Sequence, residues 1–244
     1  MLQKYFKSLY KRTMDEAYSL AHKEIICSLG NGGDMLDCGA HYGEKFYSLN
    51  RIKDIDHSSY HGIEWNMEAV LKAQENNLNV IQGDLNNKLP FESNRFQCVF
   101  GLSVLEHLIN PCNHLKECHR VLNKGGKLIL LTPNISTFFT IILLLLGKMP
   151  SSGPHPDSDI LLKNEELIKV SHDCIQPDSE SDTPIHRHLI VFSYRVLIGY
   201  LKMIGFSEVK GSGFGLYPFP KFTQPFFEKL DPYHCHQMVI TARK

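Results

Sequence analysis

The stretch that decides the fold is Met35-Leu-Asp-Cys-Gly-Ala-His-Tyr-Gly-Glu44, with Gly62-Ile-Glu64 after it. It predicts a buried strand, a glycine turn and a helix start, and then a second strand that ends on an acid. In open α/β sheets a nucleotide-like ligand binds where such strands end, because backbone donors and acceptors are unpaired there. The terminal acid, Glu64, suits the two hydroxyls of a ribose. The stretch therefore predicts a nucleotide-like ligand at a sheet edge.

The carboxylate of Asp37 narrows the ligand class. It would repel the pyrophosphate of a dinucleotide, whereas it would attract a ligand that carries positive charge. The spacing from Gly39 to Gly43 also differs from the Gly-x-Gly-x-x-Gly fingerprint of dinucleotide sites. Both features argue against a nicotinamide-dependent oxidoreductase.

The pattern Asp37-x-Gly39-x-x-x-Gly43 resembles the first motif of class I S-adenosylmethionine-dependent methyltransferases. The resemblance implies S-adenosylmethionine as the cofactor, with its cationic amino-acid end held by Asp37 and the turn and its ribose held by Glu64. His41 departs from the pattern, since many members have a third glycine there. A positive φ is strained for a non-glycine residue, although His is among the more tolerant types. We expect an altered turn, or a His41 side chain directed toward the ligand.

A second motif, Val80-Ile-Gln-Gly-Asp84-Leu85, lies at the end of the third predicted strand. The resemblance implies that Asp84 accepts a hydrogen bond from the adenine amino group and that the next backbone N–H faces the ring. The alternative is a turn or helix-cap aspartate. Trp65 is a candidate to pack on adenine or, alternatively, a core residue. The residues predicted to bind the cofactor are Asp37, Gly39, Ala40, Gly43, Glu64, Trp65, Asp84, Leu85 and Ser103.

Two further blocks, 96–108 and 117–134, resemble the fourth and fifth strands of the small-molecule branch of this family. They contain Glu-His-Leu and Arg-Val-Leu-x-x-Gly-Gly in the family's order, so the resemblance covers about 34–134. Ser103 lies where some members place an acid near the methyl acceptor, which argues against a metal-assisted mechanism.

Three histidines are candidate catalytic bases. Transfer of a methyl group from a sulfonium is an in-line displacement with an activated leaving group, so positioning supplies much of the acceleration and an O or N acceptor adds at most a base. His107 follows the fourth strand, and His186 and His188 lie where the chain returns to the sheet domain. Imidazole titrates near neutral pH. The alternatives are a structural role for His107 and a surface loop for the other two.

Composition excludes several classes of protein. The 244 residues carry 26 basic and 26 acidic side chains, so no nucleic-acid-binding surface is predicted. Seven cysteines without paired spacing indicate reduced thiols, which are typical of a cytoplasmic protein. The start of the chain also lacks the apolar core that a signal peptide needs, so export is not expected. No metal site is predicted, because neither the Cys112/His114/Cys118/His119 group nor His234-Cys235-His236 matches structural zinc spacing.

The alternation of strand and helix patterns predicts one α/β domain with a doubly wound, mostly parallel, seven-stranded sheet. Residues 1–30 form a helical segment of one or two helices, and 133–188 form a helical cap insertion that binds the substrate. The strands are predicted at 34–38, 60–64, 79–83, 96–101, 127–132, 207–210 and 237–242. An aromatic, proline-rich loop is predicted after 210.

The apolar run Phe138–Leu146 is about half of the roughly 20 residues that a membrane span requires. No transmembrane span is therefore predicted. The run is interpreted as a buried helix of the cap or, alternatively, as a lid or interfacial helix beside a lipid-like substrate, with peripheral membrane contact.

The predicted function is methyl transfer from S-adenosylmethionine to a small-molecule or lipid-like acceptor. A weaker likeness, in Leu146-Gly-Lys-Met-Pro150 and Asp182-Thr-Pro184, is to MetW-type proteins of methionine biosynthesis. It leaves an alternative open, namely a regulatory or partner subunit that keeps the fold without independent catalysis.

Overall fold

Seven strands form one sheet in the order β3-β2-β1-β4-β5-β7-β6. The computed structural model describes residues 2–30, 32–150, 152–158, 160–161 and 187–244. Strand β7 is antiparallel to both of its neighbours, and the pairs from β3 to β5 are parallel. This confirms the predicted doubly wound, mostly parallel α/β fold. The strands are β1 Met35–Cys38, β2 Tyr60–Glu64, β3 Asn79–Gln82, β4 Phe96–Leu102, β5 Leu122–Pro133, β6 Ser207–Phe214 and β7 Gln237–Arg243.

The helices cover both faces of this sheet. Helices α1 to α3 pack with one buried cluster, and α4 and α6 pack with the other. Strand order reverses between β1 and β4, and at such a switch point a ligand-binding crevice opens at the carboxyl ends of the strands. The helices are α1 Leu2–Leu29, α2 Glu44–Asn50, α3 Met67–Glu75, α4 Pro111–Val121, α5 Phe138–Leu145, α6 Tyr194–Met203 and α7 Gln224–Leu230.

The N-terminal segment is a single helix, α1, of 28 residues. Its buried residues recur every fourth position, at Leu9, Thr13, Ala17, Ala21 and Ile25, which forms a stripe along one side. Neither Gly nor Pro interrupts Leu2–Leu29, so nothing in the sequence divides it. The stripe packs across β4, β5 and β7.

The largest differences from the sequence-based predictions concern β5, β6 and α7. Strand β5 begins at Leu122, not at 127, because Phe96 of β4 already pairs with Leu122. Strand β6 continues to Phe214, so part of the predicted loop is strand. Its partner β7 supplies this extension, since Gly211 to Phe214 pair with Ile240 to Gln237. Helix α7 was not predicted, and its 7 residues are too few for a clear helical period.

Helix α5 lies within the predicted cap, and 162–186 of that cap fall outside the described residues. The apolar run does not form the buried helix that was expected. Thr140 and Leu143 are buried, whereas Ile141, Ile142, Leu144 and Leu145 are 44 to 83% exposed. Among the described residues, the structure contains no helix with the length and apolarity needed to cross a membrane.

A nearly buried ion pair connects the two ends of the chain. The Arg12 guanidinium lies 3.0 Å from Glu228, and their side chains are 9% and 7% exposed. Glu228 also accepts a hydrogen bond of 2.7 Å from the backbone N–H of Gly215. This carboxylate therefore joins α1, α7 and the end of β6.

Replacing Glu228 with Ala should lower the free energy of unfolding by about 2 kcal/mol, because a buried N–H loses its acceptor and Arg12 keeps only Glu16 as a carboxylate partner. Urea denaturation of both proteins measures this. Glu68→Ala is the control, since its partner Lys72 is half exposed and the change should be below about 0.5 kcal/mol. Equal effects of the two substitutions would contradict the structural role of Glu228.

Candidate active site

The turn between β1 and α2 has a left-handed backbone at alternate residues. Gly39, His41 and Gly43 have φ values of 77°, 49° and 84°. The positive φ expected at His41 is therefore confirmed. The N–H groups of Gly39 and Ala40 donate to the carbonyl of Ile63 at 2.9 and 3.1 Å. The turn is thus attached to the end of β2.

The side chain of His41 lies beside the turn and is half exposed. Its Nδ1 is 3.0 Å from Glu44, in the first turn of α2. Its backbone N–H donates to Glu64 Oε2 at 3.0 Å. His41 therefore shapes the turn and orients the predicted ribose acid through its backbone.

Asp37 is completely buried at the end of β1. Tyr60 donates a hydrogen bond to its Oδ2 at 2.7 Å, and Lys45 Nζ lies 3.6 Å from Oδ1. Burial raises the pKa of Asp37, and Lys45 and Tyr60 oppose this shift. Among the described residues, Oδ1 has no hydrogen-bond partner. One buried acceptor atom at the turn thus remains for a donor.

Lys45 was missed by the sequence analysis, which treated Asp37 as an unpaired charge. Its Nζ also donates to the carbonyl of Gly39 at 2.6 Å. The position of Lys45, two residues after Gly43, could have indicated this contact, because side chains in the first turn of α2 point back toward the end of β1. The electrostatic argument from Asp37 is weakened accordingly, since a cation already lies beside it.

Glu64 ends β2 with its carboxylate oriented by two backbone groups. Oε2 accepts from His41 N–H and Oε1 from Asn66 N–H, each at 3.0 Å. A carboxylate offers about four acceptor positions, so capacity for two hydroxyl donors remains. Trp65, the next residue, is 68% exposed, so it is not the core residue of the alternative interpretation. Its stacking on adenine stays a prediction.

Asp84 makes the contacts of a turn aspartate. Its Oδ1 accepts from the backbone N–H and the side chain of Asn86, and its Oδ2 accepts from the side chain of Asn87. These contacts match the alternative that the sequence left open. Leu85 is buried beside it. The adenine-binding roles of Asp84 and Leu85 stay predictions.

The loop after β4 lies directly against the β1–α2 turn. A Cβ added at Gly39 would be 2.7 Å from Val104 Cγ2, so the two segments touch because Gly39 has no side chain. Ser103, next to Val104, has a φ of 56°, and its Oγ is 3.5 Å from the Tyr18 hydroxyl. The predicted cofactor turn and the predicted acceptor side are therefore neighbours.

Glu106 and His107 lie in the 3₁₀ turn that follows, and residues 187–190 return to the same place. The carbonyl of Glu106 accepts from Leu189 N–H at 2.7 Å and from Ile190 N–H at 3.3 Å. His107 Nδ1 is 3.0 Å from the carbonyl of Arg187. The rings of His107 and His188 are 5.1 Å apart. Two of the three predicted bases are thus brought together, and His186 lies outside the described residues.

Glu106 was missed as a candidate although the Glu-His-Leu motif contains it. Its carboxyl is 2% exposed and accepts from Thr132 Oγ1 at 3.0 Å. Burial raises the pKa of Glu106, and the nearby His188 opposes this. Burial likewise lowers the pKa of His188, which Glu106 opposes. The imidazole and the carboxyl therefore interact electrostatically.

The sequence analysis considered two groups of histidines and cysteines as metal sites. In neither group do all of the side chains come together. On α4, Cys118 Sγ meets His114 Nε2 at 3.4 Å, and Cys38 of β1 joins them. His119 instead packs on Phe206. In the C-terminal group, His234 Nδ1 lies 2.7 Å from Asp231.

The comparisons with known proteins agree with this geometry. A family model described as a methyltransferase domain matches residues 36–130. An uncharacterised protein of Methanocaldococcus jannaschii is 35% identical over 136 residues, which is 53% of this chain and 56% of the relative. A Mycolicibacterium smegmatis protein, named a probable S-adenosylmethionine-dependent methyltransferase, is 29% identical over 44% of this chain and 40% of its own. The chain spans about half the length of these curated relatives.

A solved structure shows the same fold. Phosphoethanolamine N-methyltransferase 2 of Haemonchus contortus, in complex with S-adenosyl-L-methionine, superposes with a TM-score of 0.56 at 12% identity, over 91% of this chain and 52% of that one. The chain is therefore similar to the methyltransferase domain over residues 36–130, and it shares the fold of S-adenosylmethionine-dependent methyltransferases. Its cofactor is S-adenosylmethionine. The MetW-type alternative gains no support over this assignment.

The side chains present fit that cofactor on two observations. Asp37 Oδ1 is buried at the turn without a hydrogen bond, 3.6 Å from Lys45 Nζ, and an ammonium group of a ligand would supply a hydrogen-bond donor. The carboxylate of Glu64, which the backbone N–H groups of His41 and Asn66 orient, retains acceptor capacity for a pair of hydroxyls.

Tyr60→Phe removes the one hydroxyl that donates to Asp37. The free energy of unfolding at pH 7 should fall by about 2 kcal/mol, because a hydrogen bond to a charged group is lost. Burial raises the pKa of Asp37, so this carboxyl becomes neutral at a higher pH than an exposed aspartate. Below that pKa the bond joins neutral groups, and the loss should shrink to about 1 kcal/mol.

Urea denaturation of the wild type and the variant across a pH series measures this difference. Tyr47→Phe is the control, since Tyr47 lies on the exposed side of α2. A loss that stays constant with pH would contradict an ionised Asp37 at neutral pH.

Proposed function

We propose that the protein transfers the methyl group of S-adenosylmethionine to a small-molecule acceptor bound between the β1–α2 turn and residues 187–190. The observation that carries this proposal is the contact of Gly39 with Val104. This contact supports a position of the Glu106/His107/His188 cluster beside the turn that is proposed to bind the cofactor. Bound at the turn, the cofactor supplies an activated methyl group on a sulfonium.

The chain's own residues position the two reactants. Asp37 and the turn residues Gly39, Ala40 and Gly43 hold the amino-acid end, and Glu64 holds the ribose. Trp65, Asp84, Leu85 and Ser103 complete the cofactor site. His107 and His188, with His186 as the further candidate, assist removal of a proton from the acceptor. The predicted 133–188 insertion is proposed to bind the acceptor.

We also propose that the protein acts in the cytosol. The six cysteines of the described residues are free, and four of these thiols are buried. Free thiols are typical of a reducing compartment.

Binding of S-adenosylhomocysteine tests the cofactor site without knowledge of the acceptor. Isothermal titration should show one site per chain. Glu64→Gln should weaken binding at least about tenfold, because one carboxylate acceptor becomes an amide donor. Glu68→Gln, an exposed carboxylate near β2 paired with Lys72, should leave the affinity unchanged. Folded wild-type protein that binds no S-adenosylhomocysteine would overturn the proposed function.

We propose that the acceptor has an apolar part and that α5 binds it or a membrane surface that contains it. The apolar side chains of α5 support this, since a helix with exposed Ile142, Leu144 and Leu145 presents an unusual apolar surface.

The double substitution Ile142→Ser with Leu145→Ser should lower cosedimentation with phosphatidylglycerol-containing vesicles several-fold, because it removes apolar area from the helix surface. Its affinity for S-adenosylhomocysteine should stay unchanged. Met203→Ser is the matched control, since Met203 is as exposed as Leu145, at 83%, but lies on α6. Vesicle binding that the double substitution leaves unaltered would contradict the role of α5.

A further inference from the structure

The ammonium group of Lys45 contacts two acceptors where β1 meets the β1–α2 turn. Its Nζ donates a hydrogen bond of 2.6 Å to the carbonyl of Gly39 and lies 3.6 Å from Asp37 Oδ1. The Asp37 side chain is completely buried, and the Lys45 side chain is 16% exposed. A single ammonium group therefore interacts with a backbone carbonyl and a buried carboxylate at once.

The charge of Lys45 stabilises the ionised form of Asp37. Burial raises the pKa of Asp37, and the charge of Lys45 is the largest influence in the opposite direction, ahead of the hydrogen bond from Tyr60. A buried carboxylate that loses its cation is strongly destabilised. A positive charge is therefore needed beside Asp37 whether or not a ligand is bound.

His22 of α1, which lies near Lys45, adds no second positive charge. Burial lowers the pKa of His22, and the charge of Lys45 lowers it further. Because an ordinary imidazole already has a pKa of about 6.5, His22 is neutral at pH 7. The positive charge that Asp37 experiences thus comes from Lys45.

The cofactor brings a second ammonium group to the same acceptors. S-adenosylmethionine and S-adenosylhomocysteine both end in an α-amino acid, and the proposed function places that end at Asp37 and the turn. Two ammonium groups at one carbonyl and one carboxylate repel each other. Since Lys45 Nζ already lies 2.6 Å from the Gly39 carbonyl, the ammonium group of the ligand needs the place that Lys45 holds.

We propose that Lys45 is a specificity-determining residue, whose ammonium group fills the subsite for the amino-acid end of the ligand until the ligand displaces it. This inference rests on the proposed function. Lys45 can leave the turn, because its side chain reaches solvent and has a flexible four-carbon stem. The contacts that Lys45 gives up offset those that the ligand gains, so the amino-acid end adds little to affinity. A nucleoside without that end binds without displacing Lys45.

Two ligands that differ in the amino-acid end test this role. S-adenosylhomocysteine carries the α-ammonium group, whereas 5′-methylthioadenosine has a methyl group on the same sulfur. Isothermal titration of the wild type and of Lys45→Met gives the preference for S-adenosylhomocysteine as the ratio of the two dissociation constants. This preference should be at least about tenfold larger in Lys45→Met, because the competing charge is gone. The affinity for 5′-methylthioadenosine should change by less than about twofold.

Lys53→Met is the matched control. Lys53 Nζ also donates a hydrogen bond of 2.6 Å to a glycine carbonyl, but that glycine is Gly30, outside the turn. Both affinities should stay unchanged in this variant. A preference that is equal or smaller in folded Lys45→Met would overturn the role of Lys45 alone. A folded wild type that binds neither ligand would overturn the proposed function and this role together.

Reductive methylation of the wild type is a second measurement, which does not depend on the folding of a variant. S-adenosylhomocysteine should release Lys45 to solvent and raise its methylation several-fold, as measured by mass spectrometry of peptides. 5′-Methylthioadenosine should leave the methylation of Lys45 unchanged, and neither ligand should alter that of Lys53. Protection of Lys45 by S-adenosylhomocysteine would contradict its displacement.

Discussion

The close contact between Gly39 and Val104 is the constraint on which the active site depends. A Cβ at position 39 would lie 2.7 Å from Val104 Cγ2, and the φ of 77° there is one that side chains rarely adopt. Both conditions require glycine. Because Gly39 has no side chain, the loop after β4 can lie on the β1–α2 turn. The residues proposed to bind the cofactor and those proposed to face the acceptor thereby share one crevice.

Two buried carboxylates end up in that crevice in different electrostatic surroundings. Asp37 has a phenol and a lysine nearby, whereas Glu106 has a threonine hydroxyl and two imidazoles. Burial raises the pKa of both. Positive charge nearby favours the ionised form of each carboxyl, and Lys45 supplies it at Asp37 and His188 near Glu106.

The sequence analysis succeeded where the signal was local. Neighbouring residues determine the strand, turn and helix around Gly39 to Gly43, and they also determine the positive φ at His41. It failed where an element depends on a distant partner. The end of β6 is extended by pairing with β7, and α7 is held by the ion pair of Glu228 with Arg12. No local periodicity reports either contact.

The sequence by itself determined the fold class, the order of strands and helices in the β1–β4 region, and the class of cofactor. Those follow from patterns that span a few residues and from charges at strand ends. Only the tertiary structure decided that Lys45 lies beside Asp37 and that Glu106 and His107 meet His188. His107 and Arg187 are 80 positions apart, and their contact forms only because the chain returns to the crevice at residues 187–190. No spacing of residues in the sequence predicts a contact between segments this far apart.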